Sequence, residues 1–169
     1  ASTTATMAIG DALAVALLMK RGLKEEDFAF FHPGGSIGKK LLIKVKDLMH
    51  TGDAIPKVFL ETPMPKTVME MSSKRLGHTL VLDTNGKVVG VVTDGDLRRG
   101  IEKWGGKLFE MTAGEVMTKS PRTVSEEELA AKALSIMESY SITALVVPDK
   151  NGRVVGIIHL HDILRQGIV

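Results

Sequence analysis

The 169-residue chain carries 44% apolar and 25% charged side chains, which places it among folded globular chains and excludes a disordered or fibrous one. Its net charge of +2 is too small to indicate a nucleic-acid partner or a membrane surface. Cysteine is absent, which excludes a disulfide scaffold and fits a cytoplasmic protein, and nine methionines beside few aromatics indicate an adaptable core more than a ligand box.

The first segment, "STTATMAIGDALAVALLMK", predicts a helix over 5–19, capped by Ser2, Thr3 or Thr4 and stopped by Lys20, Arg21 and Gly22. It is apolar nearly all round, with Asp11 as the one interior charge, and such a helix is normally buried on most sides. It reads as too short and too charged for a membrane span, and it lacks the basic start of a signal peptide. The rest of the chain offers it little surface, so it is expected to be unordered or to pack between chains. "HPGGSIGKK" follows over 32–40. Three residues separate Gly34 from Gly38, and Lys40 stands where a hydroxyl is needed, so this is not a phosphate-binding P-loop. It reads as a turn, with Ser36 capping a short helix and His32 structural.

From Asp47 the chain says most things twice. "DLM" (Asp47 to Met49) opens a unit, "KVFL" reads as a strand, and "PKTVMEMSSKRL" has helical spacing. "TLVLD" and Val88, Val89, Val91 and Val92 then read as two strands joined at Asn85-Gly86, whose positive φ angles suit a tight hairpin. A polar turn leads into the short helix "DGDLRRGIEKW". "WGGK" from Trp104 reads as the linker. The second unit runs "EVM" (Glu115 to Met117), "RTV", "LAAKALSIMESYSI", "ALVVPD", Asn151-Gly152, then Val154, Val155, Ile157 and Ile158, and "HLHDILRQ". From the hairpin onward the offset is 66 residues. The chain is therefore an α/β (α+β) protein of two β-α-β-β-α units. A unit of about sixty residues is marginal alone, so the two pack as a pair with clefts between them.

The polar turns are where chemistry concentrates. Asp96 and Asp162 fall in the first turn of a helix. Each either satisfies free helix N–H groups or accepts hydrogen bonds from a ribose diol, for which a carboxylate offers two oxygens and no donor. Thr93 and His159 end their strands, and Asp94 with Arg98 or Arg99, and Arg165 in the second copy, stand beside them to face sugar or anion. His78 precedes the first hairpin strand and reads as a packed or cleft histidine. His159 and His161 have the spacing of two metal ligands on a strand face, but no third ligand is evident, and no metal or cofactor is predicted. The copies diverge, Thr93 against His159 and Gly95 against His161. That points to one asymmetric cleft more than to two equal sites.

Gly90, Val91, Val92, Thr93, Asp96 and Leu97 resemble the signature of cystathionine-β-synthase (CBS) domains, as do Gly156, Ile157, Ile158, Asp162 and Ile163, with His159 in place of the threonine. CBS domains occur in tandem and often bind adenosyl ligands in the clefts of the pair. The whole order, "STTATMAIGDALAVALL", "FHPGGSIGKKLL", "VKDLMHTGD" and then the two units, resembles the C-terminal part of the arabinose-5-phosphate isomerase family. There a sugar isomerase (SIS) domain precedes the CBS pair. The resemblance implies a division into residues 1–43, the end of a SIS domain, and CBS units over 44–106 and 107–169. It implies a tetrameric parent, a homo-oligomer built from dimers of CBS pairs. It also implies that His32, in the His-Pro-Gly-Gly motif, is catalytic in an intact parent, where an imidazole suits proton movement in aldose–ketose isomerisation. The sheet, phosphate loop and acid–base partners of that family lie upstream of the motif, so this chain by itself is expected to be inactive. The ligand expected in the cleft is a nucleotide-type effector, either the cytidylyl-3-deoxy-D-manno-octulosonate (Kdo) end product or an adenine nucleotide. The rival expectation is a pair that only assembles the oligomer.

Overall fold

The computed structural model describes residues 2–22 and 42–168. "HPGGSIGKK", with His32, lies outside them. The first helix, α1, spans Ser2–Lys20 and forms as a helix with no buried residue. At 19 residues and a mean hydropathy of 1.5 it is long and apolar enough to cross a membrane by length and composition, a test that the core helix of a soluble protein also passes. The expectation that it is too short for a span is thereby corrected: about 1.5 Å of rise per residue carries it nearly the thickness of a hydrocarbon core.

The first unit holds β1 (Lys57–Phe59), α2 (Met64–Lys74), β2 (His78–Leu82), β3 (Val88–Thr93) and α3 (Asp94–Trp104). After it come α4 (Ala113–Val116) and β4 (Thr118–Lys119). The second unit has α5 (Ala130–Tyr140), β5 (Ala144–Pro148), β6 (Val154–His159) and α6 (Leu160–Arg165). One sheet runs β1-β2-β3-β4, with β1 parallel to β2, and β5 and β6 form a second. "RTV" forms a single parallel bridge, Thr123 to Val146, where "KVFL" forms a strand.

Both hairpins turn differently from the two-residue reading. Gly86 has φ +77° and Gly152 φ +80°, while Asn85 and Asn151 are not left-handed. The Gly86 N–H donates to the Asp83 carbonyl and the Asp83 N–H to the Lys87 carbonyl, the pattern of a three-residue loop closed by a glycine bulge. The Asp83 carboxylate accepts from the N–H groups of Asn85 and Lys87, and Asp149 does the same for Asn151 and Arg153. The turn signal is thus Asp-x-Asn-Gly, with the aspartate as the organiser.

The opening segments cross over. "DLM" packs into the core of the second unit: Val45 is fully buried with Ala133, Met137, Leu145 and Ile163. His50 exchanges both backbone hydrogen bonds with Ile157 of β6, and Lys44 and Lys46 clasp Glu127 at 2.6 and 2.7 Å. Reciprocally, Ala113 and Val116 lie in the core of the first unit with Met64, Val81 and Val92, and β4 pairs with β3. "WGGK" leads into this segment instead of ending the first unit, because Leu108 is fully buried in the same core. Each unit's sheet is completed by the other unit's leader, so neither buries its core without both.

This crossing explains two glycines of the signature. A Cβ on Gly90 would lie 2.3 Å from the Met117 Sδ, and one on Gly156 2.4 Å from the Met49 Sδ. Each glycine is the seat for the methionine of the exchanged leader. We expect Gly90→Ala or Gly156→Ala to cost about 1–3 kcal/mol by overpacking. The cost should fall when the facing methionine is also shortened, as a double-mutant cycle in denaturant would show. Between the units, Ile55, Leu80, Val146 and Ile157 form a shared apolar seam.

Candidate functional site: an arginine-rich cleft between the units

A cleft of about 950 Å³ opens where the two units meet. One wall is the segment Arg75 to His78 after α2 and the β3–α3 turn with Thr93, Asp94, Gly95 and Asp96. The other is Thr118 to Arg122 and the segment Tyr140 to Ala144 after α5, with His159 at the end of β6. The walls are positioned by left-handed residues at equivalent places. Arg75 (φ 58°) and Ser141 (φ 52°) terminate α2 and α5, and Ser120 (φ 54°) turns the leader out of β4.

The aspartate at the centre is fully engaged. Asp96 is 7% exposed. Its Oδ2 accepts from the Thr93 N–H at 2.9 Å and from the Thr93 hydroxyl at 2.7 Å, completing a capping box on α3. Its Oδ1 accepts from Arg99 Nη2 at 2.7 Å and from the Thr118 hydroxyl at 2.9 Å. A carboxylate has about four lone-pair directions, so these four donors occupy it. Asp94, by contrast, is exposed on the cleft wall.

Arg75, Arg98, Arg99 and Arg122 also line the cleft, against two carboxylates. Arg122 Cζ lies 3.8 Å from the centroid of the Tyr140 ring, a cation–π contact on the cleft wall. Deeper in, His78 stacks against His159 with ring centroids 5.8 Å apart and planes 15° from parallel. His78 is 2% exposed, and among the described residues neither ring nitrogen has a hydrogen-bond partner; nor does the buried hydroxyl of Thr79. Burial, with His159 as the second cause, pushes His78 down to about 4, so it is a neutral imidazole at pH 7. Burial also lowers His159, against the pull of Asp162. The His159 Nδ1 accepts from the His161 N–H at 3.2 Å. That leaves Nε2–H as the donor of its neutral form.

Of the residues singled out from sequence, His78, Thr93, Asp94, Asp96, Arg98, Arg99 and His159 line this cleft, and His161, Asp162 and Arg165 do not. His161 sits in α6 rather than on a strand, so it shares no strand face with His159. Asp162 instead meets His50 Nε2 at 2.8 Å, where its counterpart Asp96 meets Thr118. The leaders add a difference of their own to the one between the copies. "LMH" delivers an imidazole and "VMT" a hydroxyl to the same place. Sequence reading passed over Arg75, Arg122, Tyr140, Thr118 and His50. The two leader residues had a signal, the position directly after the repeated methionine; the others had none.

Comparison with known proteins agrees with this architecture. The CBS domain family model matches residues 45–103 and 113–168. Arabinose 5-phosphate isomerase KdsD of Pseudomonas aeruginosa is 51% identical over 168 residues, 99% of this chain and 51% of that protein. The Escherichia coli K12 protein of the same name is 45% identical over the same span. The chain thus spans about half the length of the curated relatives it matches. Among solved structures, CBSX2 of Arabidopsis thaliana in complex with AMP superposes with a TM-score of 0.65 at 25% identity. It covers 75% of this chain, and the match takes in 96% of that one. The CBS domain pair of MJ0100, in complex with 5′-methylthioadenosine and S-adenosyl-L-methionine, gives 0.64 at 25%, with coverages of 72% and 93%. The family model matches both units in turn and the solved structures share their fold, so this chain belongs to the CBS domain family as a tandem pair.

Proposed function

We propose that this CBS pair is the regulatory module of an arabinose-5-phosphate isomerase and that its cleft senses an anionic, nucleotide-type effector. One observation carries the reading: four arginines, Arg75, Arg98, Arg99 and Arg122, line a cleft that holds two carboxylates, Asp94 and Asp96. The guanidinium groups suit phosphate or carboxylate, and the Arg122–Tyr140 pair suits a planar base. Adenine ligands in CBSX2 and MJ0100 support an adenine nucleotide; feedback logic supports the cytidylyl-Kdo end product of the isomerase pathway. The reaction, interconversion of D-ribulose 5-phosphate and D-arabinose 5-phosphate in the cytoplasm, belongs to a longer protein that also carries a SIS domain. This chain alone should not turn over. The module serves there inside a homo-oligomer, for which the fully exposed apolar α1 provides surface.

The test is thermal stability against AMP, ATP, CMP, the cytidylyl-Kdo sugar and arabinose 5-phosphate. A ligand at a hundred times its Kd stabilises by about 2.7 kcal/mol, a shift of roughly 5–10 °C for a chain of this size. The expected result is a shift with a nucleotide, reduced in Arg122→Ala and in Asp94→Asn. No shift with any of them would favour the assembly role, to which the internal saturation of Asp96 also lends support.

A further inference from the structure

Arg99 holds an odd position in the cleft. Its Nη2 donates to Asp96 Oδ1 at 2.7 Å, yet its side chain is 69% exposed while the Asp96 side chain is 7% exposed. The guanidinium lies back over the first turn of α3, with Nη1 3.2 Å from where a Cβ on Gly95 would be. Among the described residues, Asp96 is its one ion-pair partner. Arg99 is thus the one donor on Asp96 that is free to leave. Thr93 is bound into the capping box, and Thr118 is held by the pairing of β4 with β3. A hydroxyl that is to reach Asp96 from the cleft takes the place of Arg99, because two of the other donors belong to the Thr93 capping box and the third, the Thr118 hydroxyl, stands on a residue paired to β3.

We propose that Arg99 is a latch on Asp96 that makes the cleft selective for ligands carrying an anionic group and a sugar hydroxyl together. An anion entering beside Arg75, Arg98 and Arg122 draws the Arg99 guanidinium off the carboxylate. The freed Oδ1 then accepts the sugar hydroxyl. An uncharged nucleoside brings the hydroxyl but nothing to move the arginine, and inorganic phosphate moves the arginine but brings no sugar hydroxyl. The exposure of Arg99 makes the swing cheap, and Gly95 leaves room for it. The inference rests on the nucleotide reading of the cleft and adds to it the coupling between two parts of the ligand.

The test compares adenosine with AMP and cytidine with CMP by calorimetric titration of the full chain, in the native sequence and in Arg99→Ala and Arg99→Gln. The latch predicts that both variants bind the nucleoside about tenfold more tightly than the native chain and the nucleotide more weakly. The preference for nucleotide over nucleoside then collapses from both sides. An arginine that merely contacts phosphate would weaken the nucleotide and leave the nucleoside unchanged, and that result would overturn the latch while keeping the nucleotide reading. Failure of the native chain to bind either nucleotide would overturn the nucleotide reading itself, and the latch with it. Arg99 is exposed, so neither variant is expected to unfold the chain.

Discussion

Acidification from pH 7 to 4 is expected to remove about 3 kcal/mol of stability through His78 alone. The sign follows from the direction of the shift. The unfolded chain protonates this histidine near 6.5 and the folded chain only near 4. Between those values the unfolded state binds more protons, so stability is complete above about 6.5, declines as the pH falls, and stops declining below about 4. A gap of roughly 2.5 pH units corresponds to about 3 kcal/mol at 1.36 kcal/mol per unit. The physical cause is burial: the ring sits 2% exposed between the two hairpins, stacked on His159, with no carboxylate to receive its charge. His159 shifts the same way and adds to the effect.

Urea titrations at pH 7, 5.5 and 4, run on the native chain and on His78→Phe, would show this. Other groups titrate in both proteins, so the quantity to read is the difference. His78→Phe should be more stable by about 1 kcal/mol at pH 7, since two unpartnered buried nitrogens are gone. Its advantage should widen as the pH falls. A difference that stays constant with pH would mean that His78 finds a partner in the folded state.

The fold was largely legible because its signals are local. Short continuous β-branched runs, helical spacing after them and the repeated glycine turns specify elements within a dozen residues. The exchange of leaders was not legible. "DLM" and "EVM" look like the first pieces of the units they precede, and only packing reveals that Met117 seats on Gly90 and Met49 on Gly156. A contact across some 27 or 107 positions leaves no periodic trace in either segment. The candidate site divides in the same way. Thr93, Asp94, Asp96 and Arg98 are contiguous, so one turn delivers them together to the cleft. Arg122 follows the left-handed Ser120, and Tyr140 ends α5 just before the left-handed Ser141, two turns that no propensity predicts. Repetition also misled in one respect. Asp162 repeats Asp96 in sequence, but its environment is set by His50, and it does not line the cleft.

Asp96 and Asp162 should therefore respond very differently to the same change. Asp96→Asn keeps the shape but replaces one acceptor oxygen with an NH2 donor. Either oxygen now accepts two bonds, from Thr93 twice or from Arg99 and Thr118. Whichever is lost, one obligate donor, the Thr93 N–H or the Arg99 guanidinium, faces the NH2 in a site only 7% exposed, and the threonine hydroxyl beside it must turn to accept. The expected cost is about 2–4 kcal/mol, the range for breaking a buried, charge-assisted network. Asp162→Asn faces one ring nitrogen, on His50, at a site about a quarter exposed, and the amide can donate to it in its neutral form. Its cost should stay near or below about 1 kcal/mol. Because Thr118 belongs to the leader of the second unit, Asp96→Asn should also loosen the hold of β4 on β3, seen as faster amide exchange at Ser120, whose N–H bonds the Val89 carbonyl. Equal costs for the two variants would mean that Asp96 is an ordinary helix cap. Unequal costs with accelerated exchange at Ser120 would mean that its carboxylate joins the two units, and a ligand hydroxyl exchanged onto Asp96 would then act at the joint between them.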